Sequence, residues 1–157
     1  MQNFLPKIYC YINDFNLTDL LKLSNNINLI YRNYKNQNDV KTIQKLKNFC
    51  KKNKKKLFIS NNIKLALNLR LDGVYIPSFN KLVNYGNIHN KPKNFEIIGS
   101  AHNLKEAKLK KKQGCTEIFL SPIFRTNKSK KFLGIMKFNF IQLNVNSNFI
   151  ALGGINQ

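Results

Sequence analysis

Short apolar runs rich in β-branched and aromatic residues recur along the chain, each bounded by polar positions. They are Ile8-Tyr9-Cys10-Tyr11-Ile12, Asn28-Leu29-Ile30-Tyr31, Lys56-Leu57-Phe58-Ile59-Ser60, Gly73-Val74-Tyr75-Ile76, Glu96-Ile97-Ile98-Gly99-Ser100, Glu117-Ile118-Phe119-Leu120-Ser121 and Asn148-Phe149-Ile150-Ala151-Leu152. Apolar runs of this length without polar alternation suit strands covered on both faces. Between them the period changes. Val40, Ile43, Leu46, Lys47 and Cys50 form a stripe at helical spacing, and Leu17 to Leu21, Ile63 to Leu69, Leu104 to Lys112 and Phe138 to Leu143 are shorter versions. Asn103 followed by Glu106 has the spacing of a capping box and opens the helix of the fifth connection.

Strand and helix therefore alternate from end to end, which implies a parallel sheet with right-handed crossovers. A doubly wound sheet and a (β/α) barrel both satisfy that pattern, and the residues behind the strands separate them. Arg32 follows the second run, Ser60 and Asn61 close the third, Ser100 and His102 the fifth, Ser121 to Thr126 the sixth, and Gly153 and Gly154 the seventh. A barrel brings such strand ends to one mouth, whereas an open sheet spreads them along an edge. The expected fold is α/β, a TIM-type (β/α) barrel of parallel strands. At 157 residues, 43% of them hydrophobic, the chain suits one domain spanning 1–157 and is short for two.

The charge is extreme: 27 Lys and Arg against 7 Asp and Glu give +20. Such an excess raises nucleic acid as a partner. Most of it is Lys mixed with abundant Asn and Ile, and the runs Lys51, Lys52, Lys54, Lys55, Lys56 and Lys108, Lys110, Lys111, Lys112 fall at predicted helix ends, where cations complement the dipole. Solvated helix ends are the preferred reading, since no helix-turn-helix, zinc-finger or RNA-recognition signature accompanies them. Cys10, Cys50 and Cys115 are far apart and form no CxxC pair, so reduced, partly buried thiols are expected. No apolar run approaches the roughly 20 residues of a membrane span and the first residues lack a secretory core, so the expected setting is the cytoplasm, with no membrane partner.

Two stretches invite an anion. Ser121-Pro122-Ile123-Phe124-Arg125-Thr126-Asn127-Lys128-Ser129-Lys130 runs from a strand into a loop of hydroxyl and cationic groups that can wrap a phosphate or can equally be a basic surface loop. Gly153 and Gly154 after a buried run let backbone N–H groups approach an anion, or make an ordinary turn. His102 is either a helix-entry histidine beside the Asn103 cap or a proton carrier. Tyr9, Tyr11, Tyr31 and Tyr34 can stack on a flat ligand, with core packing the stronger reading.

Taken in order, these segments resemble the thiamine phosphate synthases and their thiazole tautomerase relatives. Leu57-Phe58-Ile59-Ser60-Asn61-Asn62 with Leu71-Asp72-Gly73-Val74-Tyr75-Ile76 is similar to that family's strand ending in Asn-Asp-Arg and its Ala-Asp-Gly-Val-His-Leu. Ile97-Ile98-Gly99-Ser100-Ala101-His102 resembles Gly-x-Ser-x-His, shortened by one residue. Ser121-Pro122-Ile123-Phe124-Arg125-Thr126 resembles Gly-Pro-Val-Phe-x-Thr, and Ala151-Leu152-Gly153-Gly154-Ile155 resembles Ala-Ile-Gly-Gly-Ile.

The resemblance implies a barrel enzyme of thiamine biosynthesis that joins hydroxymethylpyrimidine diphosphate to thiazole phosphate and releases pyrophosphate. It implies phosphate contacts from Arg32, Lys35, Ser60, Asn61, Ser100, Thr126, Lys128, Gly153 and Gly154, with Lys130 and Lys131 as further cations. Asn61 and Asn80 stand where the family holds Mg2+ with carboxylates, and neutral amides suit that ion poorly. Asp72 is expected to serve the turn into the fourth strand, and Asp14 is a remote substitute ligand. Relative to the family, the sequence stops one β/α unit short, after the seventh strand. A barrel open there exposes strand edges that call for a cover, a second copy being one. The alternatives are a tautomerase in which His102 moves a proton without metal, and a binder of phosphate ligands or nucleic acid with no catalysis.

Overall fold

The computed structural model describes residues 7–36, 38–83, 91–127 and 130–154. Seven strands follow one another in chain order: β1 (Ile8–Ile12), β2 (Ile27–Tyr31), β3 (Leu57–Ser60), β4 (Gly73–Ile76), β5 (Glu96–Ala101), β6 (Glu117–Leu120) and β7 (Asn148–Ala151). The order β1-β2-β3-β4-β5-β6-β7 has no reversal, as a TIM-type winding requires and a doubly wound sheet does not. Between the strands lie α1 (Leu17–Leu21), α2 (Val40–Lys52), α3 (Ile63–Asn68), α4 (Leu104–Lys112) and α5 (Gly134–Asn144). The chain divides into two compact units, Met1–Val74 and Tyr75–Gln157.

In the first unit β1, β2 and β3 pair in parallel, with Ile8 opposite Ile27, Ile12 opposite Tyr31, and Leu29 opposite Leu57. Leu29, Ile30, Leu57, Phe58 and Ile59 are buried, as are Ile43, Leu46 and Cys50 of α2. Each such side chain contributes roughly 1.5–3 kcal/mol by leaving water. Of the α2 stripe, Ile43, Leu46 and Cys50 are buried and Lys47 is half-buried, whereas Val40 is exposed and Phe49 joins the core instead. Helix starts are set by short polar side chains that satisfy otherwise unpaired N–H groups. Asn16 accepts from Thr18 and Asp19, Asn62 from Leu65, and Asp39 from Thr42. The Thr42 main-chain N–H, then its hydroxyl, hold the Asp39 carboxyl below its usual range. Lys54 and Arg70, with φ of 52° and 49°, turn the chain out of α2 and α3.

In the second unit β5 pairs with β6 and β6 with β7, again in parallel. Ile97, Ile98, Ile118, Phe119 and Leu120 fill its core. Asn103 caps α4 by accepting the Glu106 N–H at 2.9 Å, and the Glu106 carboxylate reaches back to the N–H of His102 at 2.8 Å, one residue ahead of the usual box. The last helix starts at Gly134 rather than Phe138, and its Ile135, Met136, Phe140 and Leu143 are exposed. Among the described residues no helix is long and apolar enough to cross a membrane.

The lysine runs depart from expectation at two positions. Lys55 is buried and donates to the main-chain oxygens of Ser24 at 2.5 Å and Ile27 at 3.3 Å. Lys110 is wholly buried, while Lys108, Lys111 and Lys112 are solvated as expected.

Candidate functional site

In the first unit Arg32 follows β2, its N–H bonded to the Ile12 oxygen at 2.7 Å. Its guanidinium lies 4.2 Å from the centre of the Tyr11 ring and 5.7 Å from that of Tyr34. Stacking on two electron-rich faces fixes the plane of the fork while leaving its edge available for an anion. Tyr9 instead meets Phe58 edge-on at 5.8 Å, and Tyr31 is buried with its hydroxyl on the Asn36 oxygen. Lys35 is exposed in a turn whose N–H groups are held by Asn33. Ser60 closes β3, and its hydroxyl is buried with no hydrogen-bond partner among the described residues. An orphaned buried hydroxyl costs roughly 1–3 kcal/mol unless something arrives to bond it. Asn61 follows in the left-handed region at φ 60°, a conformation Asn tolerates. Asp14 accepts the N–H of Phe15, and Asp72 ties the N–H of Leu57 at 2.8 Å.

In the second unit the two glycine-and-loop elements meet. The Ile123 N–H bonds Leu152 O at 3.0 Å and the Phe124 N–H bonds Gly153 O at 3.1 Å. Both glycines have positive φ, and a β-carbon on Gly153 would stand 3.1 Å from Pro122, one on Gly154 2.6 Å from the Arg125 oxygen. In the same loop Arg125, Thr126 and Asn127, with Lys130, line an open pocket of about 450 Å³. Two cations, a hydroxyl and an amide are donors suited to a phosphate. Arg125 occupies the unspecified position of the Gly-Pro-Val-Phe-x-Thr resemblance, which gives it no signal in the sequence, and Lys128 lies outside the described residues.

Ser100 on β5 is buried and accepts from the Tyr75 hydroxyl at 2.9 Å, with Tyr75 edge-on to Phe119. His102, just past β5, has Nδ1 2.6 Å from the Ser121 main-chain oxygen and Nε2 3.0 Å from the Ser78 hydroxyl. A carbonyl only accepts, so Nδ1 donates to it, and in the corresponding neutral tautomer the Nε2 lone pair faces Ser78. Ser78 carries no signal in the sequence that would mark it.

Asn80, one of the two positions the resemblance offers for Mg2+, does not fit that ion. Asn80 is buried, its side-chain oxygen accepts the Leu82 N–H at 2.9 Å, and its main-chain oxygen takes both the Lys110 ammonium at 2.9 Å and the Gln113 amide at 3.0 Å. A dication beside a fixed ammonium, held by a neutral amide, lacks the charged oxygens it requires. Among the described residues no three His, Cys, Asp or Glu side chains are grouped to hold a metal.

An unreversed parallel α/β winding, with its polar residues behind the strand ends, is a protein of the TIM type. Residues 21–157 match the model of the family described as thiamine monophosphate synthase. A candidate thiamine-phosphate synthase 2 of Aquifex aeolicus (strain VF5) is 32% identical over 133 residues, 82% of this chain and 69% of that protein. The thiamine-phosphate synthase of Prochlorococcus marinus (strain SARG) is 33% identical over 154 residues, 89% of this chain but 42% of that protein. The chain thus spans less than half of that relative. Among solved structures, the thiamine phosphate pyrophosphorylase from Pyrococcus furiosus superposes with a TM-score of 0.67 over 96% of this chain and 76% of that one, a likeness of fold at 20% identity. The chain belongs to the thiamine monophosphate synthase family, a family of thiamine biosynthesis.

Proposed function

We propose that the chain joins hydroxymethylpyrimidine diphosphate to thiazole phosphate. The bond between the pyrimidine methylene and the diphosphate oxygen breaks with its electron pair leaving on pyrophosphate, and the thiazole nitrogen lone pair forms the new C–N bond. Charge that builds on the departing diphosphate has to be met by fixed cations and N–H donors. In this reading Arg32, Lys35 and the Ser60 hydroxyl serve the diphosphate, and Thr126, Arg125, Lys130 and the backbone at Gly153 and Gly154 serve the thiazole phosphate, with Lys128 an added cation. The packing of Gly153 and Gly154 on the Pro122–Thr126 loop supports the reading, because it holds the two motifs together in the unit that also contains the pocket lined by Arg125, Thr126, Asn127 and Lys130. The relatives are synthases by name and give the tautomerase alternative no support. Two phosphorylated metabolites as substrates accord with a cytoplasmic setting.

Calorimetry with thiazole phosphate and with pyrophosphate, both in chelator, tests this division. The wild type is expected to bind each, Thr126→Val to lose affinity for thiazole phosphate alone, and Arg32→Ala for pyrophosphate alone. Equal affinities in wild type and both variants overturn the assignment.

A further inference from the structure

A lysine ammonium with no exposure is costly, since taking one charge out of water costs several kcal/mol even after relaxation. Lys110 is such a group, and its donors are matched: Pro77 O at 2.6 Å, Asn80 O at 2.9 Å and Gln113 Oε1 at 2.9 Å. Gln113, equally buried, adds Asn80 O at 3.0 Å and Leu82 O at 2.7 Å through its amide. Lys110 in the last turn of α4 and Gln113 just beyond it therefore grip the segment after β4 by the carbonyls of Pro77, Asn80 and Leu82. Asn80 closes the same segment on itself, its N–H on Pro77 O at 3.1 Å and its side chain on the Leu82 N–H. A space-filling Met or Leu would avoid the desolvation cost, so the ammonium marks a requirement for a fixed segment.

Ser78 lies inside that grip, between Pro77 and Asn80. Its hydroxyl is the group at His102 Nε2, while Ser121 O holds the other ring nitrogen. With Nδ1 held at Ser121, the second restraint on the ring is the Nε2 partner, and that comes from the gripped segment.

We propose that Lys110 is a positioning residue: together with Gln113 it fixes the Pro77–Leu82 segment so that Ser78 stays on His102 Nε2, and it thereby keeps that nitrogen an oriented proton acceptor. Lys110 acts on His102 through Ser78 and touches no ligand itself. This holds whichever phosphate ester the chain takes.

The test is nitrogen NMR of the full chain labelled at histidine, at a pH where the ring is neutral. The chain has two histidines, and His102→Gln assigns the signals. The wild type should show a protonated Nδ1 and an unprotonated, hydrogen-bonded Nε2. Ser78→Ala should move the Nε2 resonance to its unbonded position with little change in melting temperature. Lys110→Met should reproduce most of that displacement in a folded protein, and Gln113→Leu part of it. A folded Lys110→Met that melts earlier but keeps the wild-type Nε2 signal overturns the proposal and leaves Lys110 merely structural. If Lys110→Met fails to fold, Gln113→Leu decides, because an unchanged Nε2 signal there is equally contrary.

Discussion

Gly154 sits so close to Arg125 that a β-carbon on it would stand 2.6 Å from the Arg125 main-chain oxygen, with Phe124 backbone atoms at 2.7 Å. Gly134 has the same φ of 72° but open space around it, its nearest such neighbour being Phe132 at 3.9 Å. The pair separates two costs. Gly134→Ala should lose only the left-handed backbone penalty of roughly 1–2 kcal/mol. Gly154→Ala should lose that and more, because backbone cannot yield as a side-chain tip does, and should abolish thiazole phosphate binding. Urea unfolding of both variants checks this, and equal losses would contradict the packing described.

Stability should have a maximum on the alkaline side. Burial lowers Lys110 from 10.5 to about 8, offset in part by Cys115 and Glu106 nearby. Between those values the unfolded chain binds the proton more tightly, so stability rises with pH there. Burial pushes Cys50 and Cys115 up from 9.0 to about 12, with Asp72 adding to the effect at Cys50 and Lys55 and Lys110 opposing it at the respective thiols. Those thiols stay protonated when folded and ionise when unfolded, so stability falls as pH passes 9. Each group changes stability by at most about 1.4 kcal/mol per pH unit. Denaturation midpoints should climb from pH 8 to near 9 and then decline, and Lys110→Met should remove the climb. A climb that persists in that variant would assign it elsewhere.

Arg32→Lys keeps the charge and loses the planar fork stacked on Tyr11 and Tyr34. Pyrophosphate affinity should fall by about tenfold, between wild type and Arg32→Ala. Calorimetry giving Arg32→Lys the wild-type affinity would reduce Arg32 to a point charge.

How far the sequence carried the fold depends on period. β1 and β4 have the bounds their apolar runs imply, and so do α1 and α4, because patterning and the Asn caps act locally. The last helix begins four residues before the apolar spacing implies, since Gly134 resembles the end of a loop and the exposed Ile135 and Met136 break any stripe. At the site, the glycines and the Pro122–Thr126 loop were legible as phosphate-friendly, and their mutual packing was not, because it depends on two strand ends meeting. Lys110 was illegible: inside a lysine run, nothing but its spacing of three from Ala107 on one side and Gln113 on the other places it on the buried face of α4. Ser78 likewise acquires meaning only when the segment after β4 lies against His102.

Incubating the chain with hydroxymethylpyrimidine diphosphate and thiazole phosphate, and following thiamine phosphate and pyrophosphate together in magnesium and in chelator, decides whether it is a synthase. The expected result is equimolar formation of both products, falling at least about tenfold in Arg32→Ala and in Gly154→Ala as phosphate contacts are lost. Absence of both products from a folded chain that nonetheless binds both substrates would contradict the assignment of a synthase and leave a phosphate-ligand binder in its place.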